Sequence, residues 1–295
     1  MDQLGEILTQ NHIEYKQQVA MKTCTTFQIG GPADWVVYPQ STTQAAKLVE
    51  ILNQNRIPWL VMGNGSNLLV NDDGIRGVVI KTDRMNNIVL SDNQMTVGAG
   101  CLNVTAANAA LKAGLSGLEF AHGIPGSIGG AVYMNAGAYG SQFSDIVITT
   151  TYIDSNGKVQ IKDLAAHEFG YRHSSFTDKN IICETCLQLA PGNPDQIRAK
   201  MQDLMQRRRD RQPLTYPSAG SVFKRPEGHY AGQLIEECGL KGLTVGGAQV
   251  SPKHAGFIVN TGNATAKDVQ TLIGRIQDEV YQKFGVKLET EVKMV

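Results

Sequence analysis

Several features that would place this chain in a special class are missing from its 295 residues. Basic and acidic residues are equal in number, 27 of each, so no net charge attracts the protein to nucleic acid or to an anionic lipid surface. No apolar run approaches the roughly 18 residues of a membrane-spanning helix, and the opening MDQLGEILTQ is unlike a signal peptide. We therefore expect a cytoplasmic protein with no nucleic-acid partner and no membrane insertion.

Cysteine is scarce as well, and its arrangement argues against both disulfides and metal. The five cysteines are scattered and odd in number, as in a reduced cytosolic protein. Cys183 and Cys186 form a CxxC pair, but no second ligand pair stands at a spacing suited to zinc. The segment IICETCLQL alternates like a strand, which places the two thiols on opposite faces. No metal site is predicted.

The composition, with 42% hydrophobic and 18% charged residues, is that of a globular protein long enough for two or three domains. The first 80 residues follow an α/β pattern, with a helix capped by Thr42 or Thr43 and a strand ending at Met62. Further helices are predicted near 103–113, 195–209 and 265–284, and a hairpin over 147–162. The last helix has a capping box, Thr265 with Asp268, and ends at Gly285. The terminal VKLETEVKMV alternates like a strand, with Val286, Leu288, Val292 and Met294 on one face.

Glycine is abundant in one segment, GLEFAHGIPGSIGGAVYMNAGAYG at 117–140, which holds seven glycines in 24 positions and no Lys or Arg. Glycine costs backbone entropy, so such a cluster indicates positive φ angles or close approach of the main chain to another group. One interpretation is backbone laid against a large cofactor, with main-chain N–H groups donating hydrogen bonds. The alternative is a series of tight turns between buried strands.

A second glycine turn, Gly63-Asn64-Gly65-Ser66-Asn67, follows the strand that ends at Met62. Such a turn can direct several N–H groups at a phosphate. It lacks the lysine of a Walker motif and the third glycine of a Rossmann fingerprint, so neither assignment applies. A purely structural turn remains an equal alternative.

Three single residues could take part in chemistry, each with a simpler explanation. Arg172, in FGYRHSSF, could clamp a carboxylate or could pack on the surface. Ser221 lies in a Gly-Ser turn and has no catalytic signature alone. Glu291 lies on the charged face of the predicted last strand, where a solvated carboxylate is the ordinary interpretation. His122 could polarise a ligand or be a hydrogen-bonded histidine, and it receives no catalytic role.

The arginines at 207, 208, 209 and 211 have two explanations. Cations in the last turn of a helix are favoured by the helix dipole. Four arginines before a loop of Pro and Gly residues also suit a diphosphate or carboxylate. Overall neutrality favours a small anionic ligand over a polyanion.

Taken in order, the motifs make the chain resemble the UDP-N-acetylenolpyruvoylglucosamine reductase family of bacterial cell-wall synthesis, from Thr25 to Val295. The resemblance rests on TTFQIGGPA (25–33), GNGSNLLV (63–70), GIPGSIGGAVYMNAGAYG (123–140), YRHSSF (171–176), RRRDRQP (207–213), PSAGSVFKRP (217–226), KHAGF (253–257) and the terminal EV (291–292). The chain is similar to the shorter of two family types, which lacks an active-site tyrosine loop.

The resemblance implies an α+β fold: a two-part FAD-binding domain of the vanillyl-alcohol-oxidase type and a C-terminal α+β substrate-binding domain. The implied boundaries are 1–80 with 286–295 for the first FAD-binding part, 81–214 for the second and 215–285 for the substrate domain. Non-covalent FAD would be the cofactor, NADPH the electron donor, UDP-N-acetylglucosamine enolpyruvate the substrate and UDP-N-acetylmuramate the product. We expect a monomer. The alternatives are an FAD-dependent oxidase of the same fold and a non-catalytic protein that binds a nucleotide sugar or a flavin.

The resemblance also implies residue roles. Hydride would pass from flavin N5 to C3 of the enolpyruvyl group, with Arg172 and Glu291 stabilising the resulting negative charge and Ser221 donating a proton to C2. The implied cofactor-binding residues are Gly63, Asn64, Gly65, Ser66, Asn67, His122, Gly123, Ile124, Pro125, Gly126, Ser127, Gly129 and Gly130. The implied substrate contacts are Tyr139, Arg207, Arg211 and Arg225.

Overall fold

The computed structural model describes residues 2–295 and contains both helices and strands. The helices are α1 (Asp2–Gln10), α2 (Thr42–Gln54), α3 (Asn103–Lys112), α4 (Ile128–Tyr133), α5 (Pro194–Arg211), α6 (Ala231–Glu237) and α7 (Ala266–Phe284). The strands are β1 (Glu14–Ala20), β2 (Pro32–Tyr38), β3 (Trp59–Met62), β4 (Leu68–Leu69), β5 (Ile75–Lys81), β6 (Ile88–Ser91), β7 (Gln94–Gly98), β8 (Leu115–Ser116), β9 (Gly137–Ala138), β10 (Ser141–Gln142), β11 (Val147–Ile153), β12 (Val159–Asp163), β13 (Ile181–Gln188), β14 (Ala190–Pro191), β15 (Thr244–Val245), β16 (Ala248–Val250), β17 (Ile258–Asn260) and β18 (Lys293–Met294).

The chain divides into two compact units. Unit 1 comprises the chain up to Gln17, Asp34–Asn64 and Arg76–Gln206, and unit 2 comprises Gln18–Ala33, Gly65–Ile75 and Arg207–Val295. Each unit therefore combines segments that are distant in sequence. The three-part division expected from the sequence stays a prediction.

Unit 1 is built on two sheets. One has the strand order β1-β2-β5-β3, in which β3 and β5 run parallel, and the other has the order β12-β11-β13-β7-β6 with antiparallel neighbours. The hairpin predicted over 147–162 is present as β11 and β12. The predicted cap of α2 is wrong: Ser41, one residue earlier, accepts a hydrogen bond from the backbone N–H of Gln44 through its hydroxyl. Thr42 and Thr43 lie inside the helix.

The glycine segment contains a short helix that the sequence pattern did not indicate. Residues Ile128–Tyr133 form α4, although Gly129 and Gly130 have low helix propensity. Burial compensates for this, because Ile128, Ala131 and Val132 all pack in a core of unit 1. Tertiary packing therefore decides the local structure of this segment.

Unit 2 contains the three-stranded sheet β15-β16-β17 and the long helix α7. The predicted end signals of α7 are confirmed: Thr265 and Asp268 form the capping box, and Gly285 ends the helix with a left-handed φ of 68°. The predicted stripe is buried as expected, namely Val269, Leu272, Ile273, Ile276 and Val280. This stripe fills the core of unit 2 together with residues of its other segments.

The strand predicted over 286–295 is mostly wrong. Only Lys293–Met294 is a strand, and it pairs in parallel with Leu68–Leu69. Leu288 and Val292 are buried, but Met294, predicted on the same face, is 44% exposed. The alternation is lost because the chain before β18 forms single backbone bonds with another loop in place of a continuous ladder. Glu291 is half-buried and lies outside the short strand β18.

Candidate active site

In unit 1 the main chain of residues 122–130 is held against the segment that follows β7. Gly126 accepts a hydrogen bond from the Asn103 N–H at 3.0 Å, and the N–H groups of Ile128 and Gly129 donate to Cys101 and Ala99 at 2.8 and 2.9 Å. Gly126 has a φ of 140°, which side chains rarely tolerate. A Cβ atom added at Gly129 would lie 2.8 Å from Ala99 Cβ. These glycines are needed for a tightly seated loop.

The two glycine turns predicted to bind a cofactor meet at one point in unit 1. A Cβ atom added at Gly63 would overlap the hydroxyl oxygen of Ser127. Only glycine at position 63 therefore allows this approach without displacing Ser127. Gly63 and Ser127 are 64 positions apart in the sequence, and the fold brings them side by side.

Three buried polar atoms around this point have no hydrogen-bond partner among the described residues: Ser127 Oγ, His122 Nδ1 and Asn103 Oδ1. Ser127 occupies the N-cap position of α4, yet its hydroxyl makes no capping bond. Burial lowers the pKa of His122, which favours the neutral ring near pH 7. Unpaired buried polar atoms are costly, so they indicate an absent bonding group.

This set of groups is chemically suited to a dinucleotide cofactor. A hydroxyl and main-chain N–H groups can donate to phosphate oxygens, and an amide oxygen can accept from a ribityl or ribose hydroxyl. Asn103 is 1% exposed, and its Nδ2 donates to the Ile124 carbonyl at 3.3 Å, which leaves Oδ1 for another donor. The glycines would let the backbone approach such a cofactor closely, and the unpartnered polar atoms would orient it through hydrogen bonds.

The loop that carries Arg172 is attached to the end of the same glycine segment. Ser174 Oγ donates to the Tyr133 carbonyl at 2.6 Å, and Asn135 Nδ2 donates to the Gly170 carbonyl at 3.1 Å. Arg172 itself donates from Nη2 to the Gly137 carbonyl at 3.2 Å, and its guanidinium carbon lies 5.2 Å from the Tyr171 ring centroid. Three separate bonds therefore fix the position of this arginine.

Arg172 and Tyr139 both have left-handed backbones, with φ angles of 53° and 57°. Such a conformation costs of the order of 1–2 kcal/mol for a residue with a side chain and is often retained at functional positions. Tyr139 is 48% exposed, and its hydroxyl donates to the Leu204 carbonyl of α5 at 3.1 Å. The strain is therefore stabilised by specific bonds in both cases.

In unit 2 the structure brings Asn67, Ser221 and Glu291 into one hydrogen-bonded region. The Glu291 N–H donates to the Val222 carbonyl at 2.7 Å, and Asn67 Nδ2 donates to the Glu291 carbonyl at 3.0 Å. Ser221 Oγ donates to the Phe223 carbonyl at 3.2 Å. Asn67 thus has a structural role, because it links the 63–67 turn to the C-terminal segment.

The remaining predicted residues of unit 2 range from buried to exposed. Gly65 is buried with a φ of 63°, and Ser66 is half-buried. Arg207 and Arg211 lie in the last turns of α5, where the helix dipole favours cations. Arg225 is exposed, and its guanidinium carbon lies 4.0 Å from the Tyr230 ring centroid, close enough for a cation–π contact.

Sequence reasoning gave no role to His254, although both its ring and the Ser221 hydroxyl lie near Gly256. Its Nδ1 accepts from the Gly256 N–H at 3.1 Å, and the Gly256 carbonyl accepts from the Val222 N–H at 2.9 Å. Burial lowers the pKa of this histidine. Asn103 and Asn135, both 1% exposed, also received no role. The sequence signal that could have indicated Asn135 is a polar residue between apolar neighbours, as in MNAGAYG.

Comparison with known proteins places the chain in a family. A profile of the UDP-N-acetylenolpyruvoylglucosamine reductase C-terminal domain matches residues 212–295, and an FAD-binding-domain profile matches residues 33–161. The UDP-N-acetylenolpyruvoylglucosamine reductase of Caldanaerobacter subterraneus is 47% identical over 100% of this chain and 97% of its own length. The chain belongs to the UDP-N-acetylenolpyruvoylglucosamine reductase family.

Other relatives agree with this assignment. The reductase of Clostridium novyi is 47% identical and covers 96% of this chain and 92% of its own length. The crystal structure of the Thermus caldophilus reductase superposes with a TM-score of 0.83 at 36% identity, covering 96% of this chain and 98% of that one. The expected α+β fold with an FAD-binding domain and a reductase C-terminal domain is confirmed.

Within residues 2–295 no helix is both long and apolar enough to span a membrane. Nor does the described chain contain three or more His, Cys, Asp or Glu side chains grouped so that they could hold a metal ion.

Proposed function

We propose that this chain reduces UDP-N-acetylenolpyruvoylglucosamine to UDP-N-acetylmuramate, with FAD as its non-covalent cofactor and NADPH as electron donor. Membership of the reductase family over the full chain and the matched FAD-binding domain support this function. The observation that carries it at the level of residues is the meeting of Gly63 with Ser127, next to buried polar atoms that lack protein partners.

FAD, when bound, supplies the hydride chemistry, and the protein supplies binding, orientation and electrostatic stabilisation. In this proposal the turn at 63–67 and residues 122–130 hold the cofactor. The Ser127 hydroxyl and main-chain N–H groups other than those of Ile124, Ile128 and Gly129 donate to it, whereas Asn103 Oδ1 accepts from it. The neutral His122 ring adds a polar contact without adding charge.

Arg172 is proposed to stabilise negative charge on the substrate. Hydride addition to the enolpyruvyl group places negative charge on C2 and on the adjacent carboxylate, which a guanidinium can stabilise through two parallel hydrogen bonds. Three bonds and a strained backbone hold the Arg172 loop, so little reorganisation is needed during the reaction. This placement favours the carboxylate clamp over simple surface packing.

Ser221 is proposed to donate the proton to C2. A serine hydroxyl is a weak acid, so the transfer depends on a strongly basic enolate and on a site closed to water. The hydroxyl is already donated to the Phe223 carbonyl, which must release it when substrate binds. Glu291 is proposed to act on the same intermediate, since its backbone is bonded to the residue next to Ser221.

Tyr139, Arg207, Arg211 and Arg225 are proposed as substrate contacts. The cationic side chains suit the diphosphate of the nucleotide sugar, and the guanidinium carbon of Arg225 lies 4.0 Å from the centroid of the Tyr230 ring. The five free cysteines agree with a reduced compartment, so we propose a cytoplasmic enzyme. A monomeric state and the three-part division expected from the sequence are part of the same proposal.

Rapid mixing that follows flavin absorbance tests this function. NADPH is expected to bleach the flavin in the absence of air, and the enolpyruvyl substrate is then expected to restore the colour. An Arg172→Lys variant is expected to keep the first step and slow the second. Protein that stays colourless after FAD is added would refute the proposal. Flavin that is not released on denaturation would favour an oxidase with covalent FAD.

A further inference from the structure

Unit 1 contains a buried lysine that has no part in the proposed function. Lys81 is the last residue of β5, and only 8% of its side chain is exposed. Lysines are almost never buried to this extent unless they are paired. Its ammonium group lies 3.0 Å from Asp83 Oδ2 and donates to the Gly63 carbonyl at 3.3 Å.

The position of Lys81 follows from the parallel pairing of two strands. Met62 of β3 pairs with Lys81 of β5, so the two parallel strands end at the same edge of the sheet. Gly63 comes directly after β3 and begins the glycine turn. Lys81 therefore contacts the residue that also meets the unpartnered Ser127 hydroxyl.

Donor count and charge both leave a role for this ammonium group. It has three N–H donors, and its contacts account for two of them. The Asp83 side chain is 43% exposed, so water solvates its charge, whereas the Lys81 side chain is only 8% exposed. The segments 63–67 and 117–140 contain no Lys or Arg, and burial keeps His122 neutral. Any lysine or arginine beside a diphosphate bound by these segments must therefore come from another part of the chain.

We propose that Lys81 is a positioning and charge-supplying residue of the cofactor site. It fixes the Gly63 carbonyl and provides the positive charge that attracts the diphosphate of FAD. The lysine that a Walker motif carries inside its own loop is here supplied by the neighbouring parallel strand. The inference rests on the proposed function only in taking FAD as the cofactor.

Titration of the apoprotein with FAD tests this inference, with Lys81→Met, Lys81→Arg and a control. Lys179→Met is the control because Lys179 Nζ also donates to a β3 carbonyl, that of Trp59, at 3.0 Å. Loss of a charge-assisted hydrogen bond predicts FAD binding about ten- to a hundredfold weaker in Lys81→Met. Lys81→Arg should recover most of the affinity, and Lys179→Met should stay within about twofold of the parent.

Two further measurements distinguish an effect of the Lys81 charge from a general structural effect of replacing Lys81. Riboflavin lacks the diphosphate, so Lys81→Met should leave its affinity unchanged. Asp83→Asn removes the carboxylate and keeps the ammonium group, so FAD should bind as tightly as to the parent or more tightly.

Equal losses for FAD and riboflavin, a loss in Asp83→Asn matching that in Lys81→Met, or normal FAD binding by Lys81→Met would each overturn the inference. If Lys81→Met does not fold, as judged by thermal unfolding of the apoprotein, Asp83→Asn and Lys81→Arg decide alone. Parent protein that binds no FAD would instead refute the proposed function.

Discussion

The glycine segment of unit 1 and the Ser221–Glu291 region of unit 2 differ in how completely their polar groups are bonded. Around residues 122–130, three buried polar atoms have no partner among residues 2–295. Around Ser221, by contrast, the hydroxyl, the Asn67 amide and the Glu291 backbone are bonded to other groups of unit 2. Of these two regions, the one around residues 122–130 is the one whose buried side-chain atoms lack protein partners.

This difference indicates two ways of preparing a site. A permanently bound cofactor can complete a hydrogen-bond network, so the protein can leave donors and acceptors open for it. A substrate that enters and leaves must find residues that stay folded without it. Self-contained bonding of the Ser221 region meets that requirement.

The largest expected effect concerns the self-contained region. Replacing Ser221 with Ala removes the proposed proton donor, and reoxidation of reduced flavin by substrate should slow about 10²–10⁴-fold. Reduction by NADPH should change little, because the Phe223 carbonyl alone loses a bond. Stopped-flow absorbance measures both steps, and Ser218→Ala, in the same loop, is the control. Equal losses in both steps would show that the loop, and not the proton, was disturbed.

The second prediction compares neighbouring glycines in α4. A Cβ atom at Gly129 would lie 2.8 Å from Ala99 Cβ, whereas at Gly130 the nearest atom, Ser127 Oγ, is 3.7 Å away. Gly129→Ala should therefore lower the free energy of unfolding of the apoprotein by about 1–3 kcal/mol through overpacking. Gly130→Ala should be neutral or slightly stabilising, because Ala favours helix. Denaturant unfolding of the apoproteins measures both, and equal destabilisation would refute the seating of α4.

A third prediction tests whether the open polar atoms await a ligand. Ser127→Ala removes a buried hydroxyl without a partner, so the stability of the apoprotein should stay the same or rise. FAD affinity should fall about tenfold, as expected for one lost hydrogen bond to a charged group. Ser174→Ala is the matched contrast.

The Ser174 hydroxyl donates a hydrogen bond to the Tyr133 carbonyl. Ser174→Ala should therefore lower the free energy of unfolding of the apoprotein by about 1 kcal/mol. Calorimetry of apoproteins and titration with FAD measure the two quantities. A Ser127→Ala protein that is destabilised and still binds FAD normally would show that the hydroxyl has an internal role.

Local sequence signals predicted some of this architecture well. The capping box and apolar stripe of α7 and the hairpin of β11 and β12 depend on neighbours in sequence, and both are present. The terminal strand failed because pairing with distant segments decides whether an alternating run becomes a ladder. The helix α4 was missed because burial outweighs the low helix propensity of its two glycines.

For the candidate site, sequence motifs indicated which residues to examine but not how they are held. The approach of Gly63 to Ser127 depends on contacts between segments about 60 residues apart. Lys81 ends the strand IRGVVIK, and no local rule marks it as part of a binding site. Asn103 and Asn135 are buried and bonded to the carbonyls of Ile124 and Gly170, which are distant in sequence.

The smallest expected effect lies in unit 2, at the start of α7. Hydrogen bonds from the backbone N–H of Thr265, and also from Gly247, lower the pKa of Asp268. A lowered carboxylate pKa in the folded state contributes stability above the unfolded value of about 3.9 and loses it as pH falls through the folded value.

Asp268→Asn should therefore cost about 0.5–1 kcal/mol at pH 7, and the gap should close between about pH 4 and the lowered pKa. Asp278→Asn, at an exposed position of the same helix, controls for the loss of one charge. Denaturant unfolding across this pH range measures the gap, and FAD affinity should not change. If the difference in free energy of unfolding between the parent and Asp268→Asn stays constant down to low pH, the carboxylate charge does not stabilise the helix. The shape of the side chain would then account for the whole capping effect.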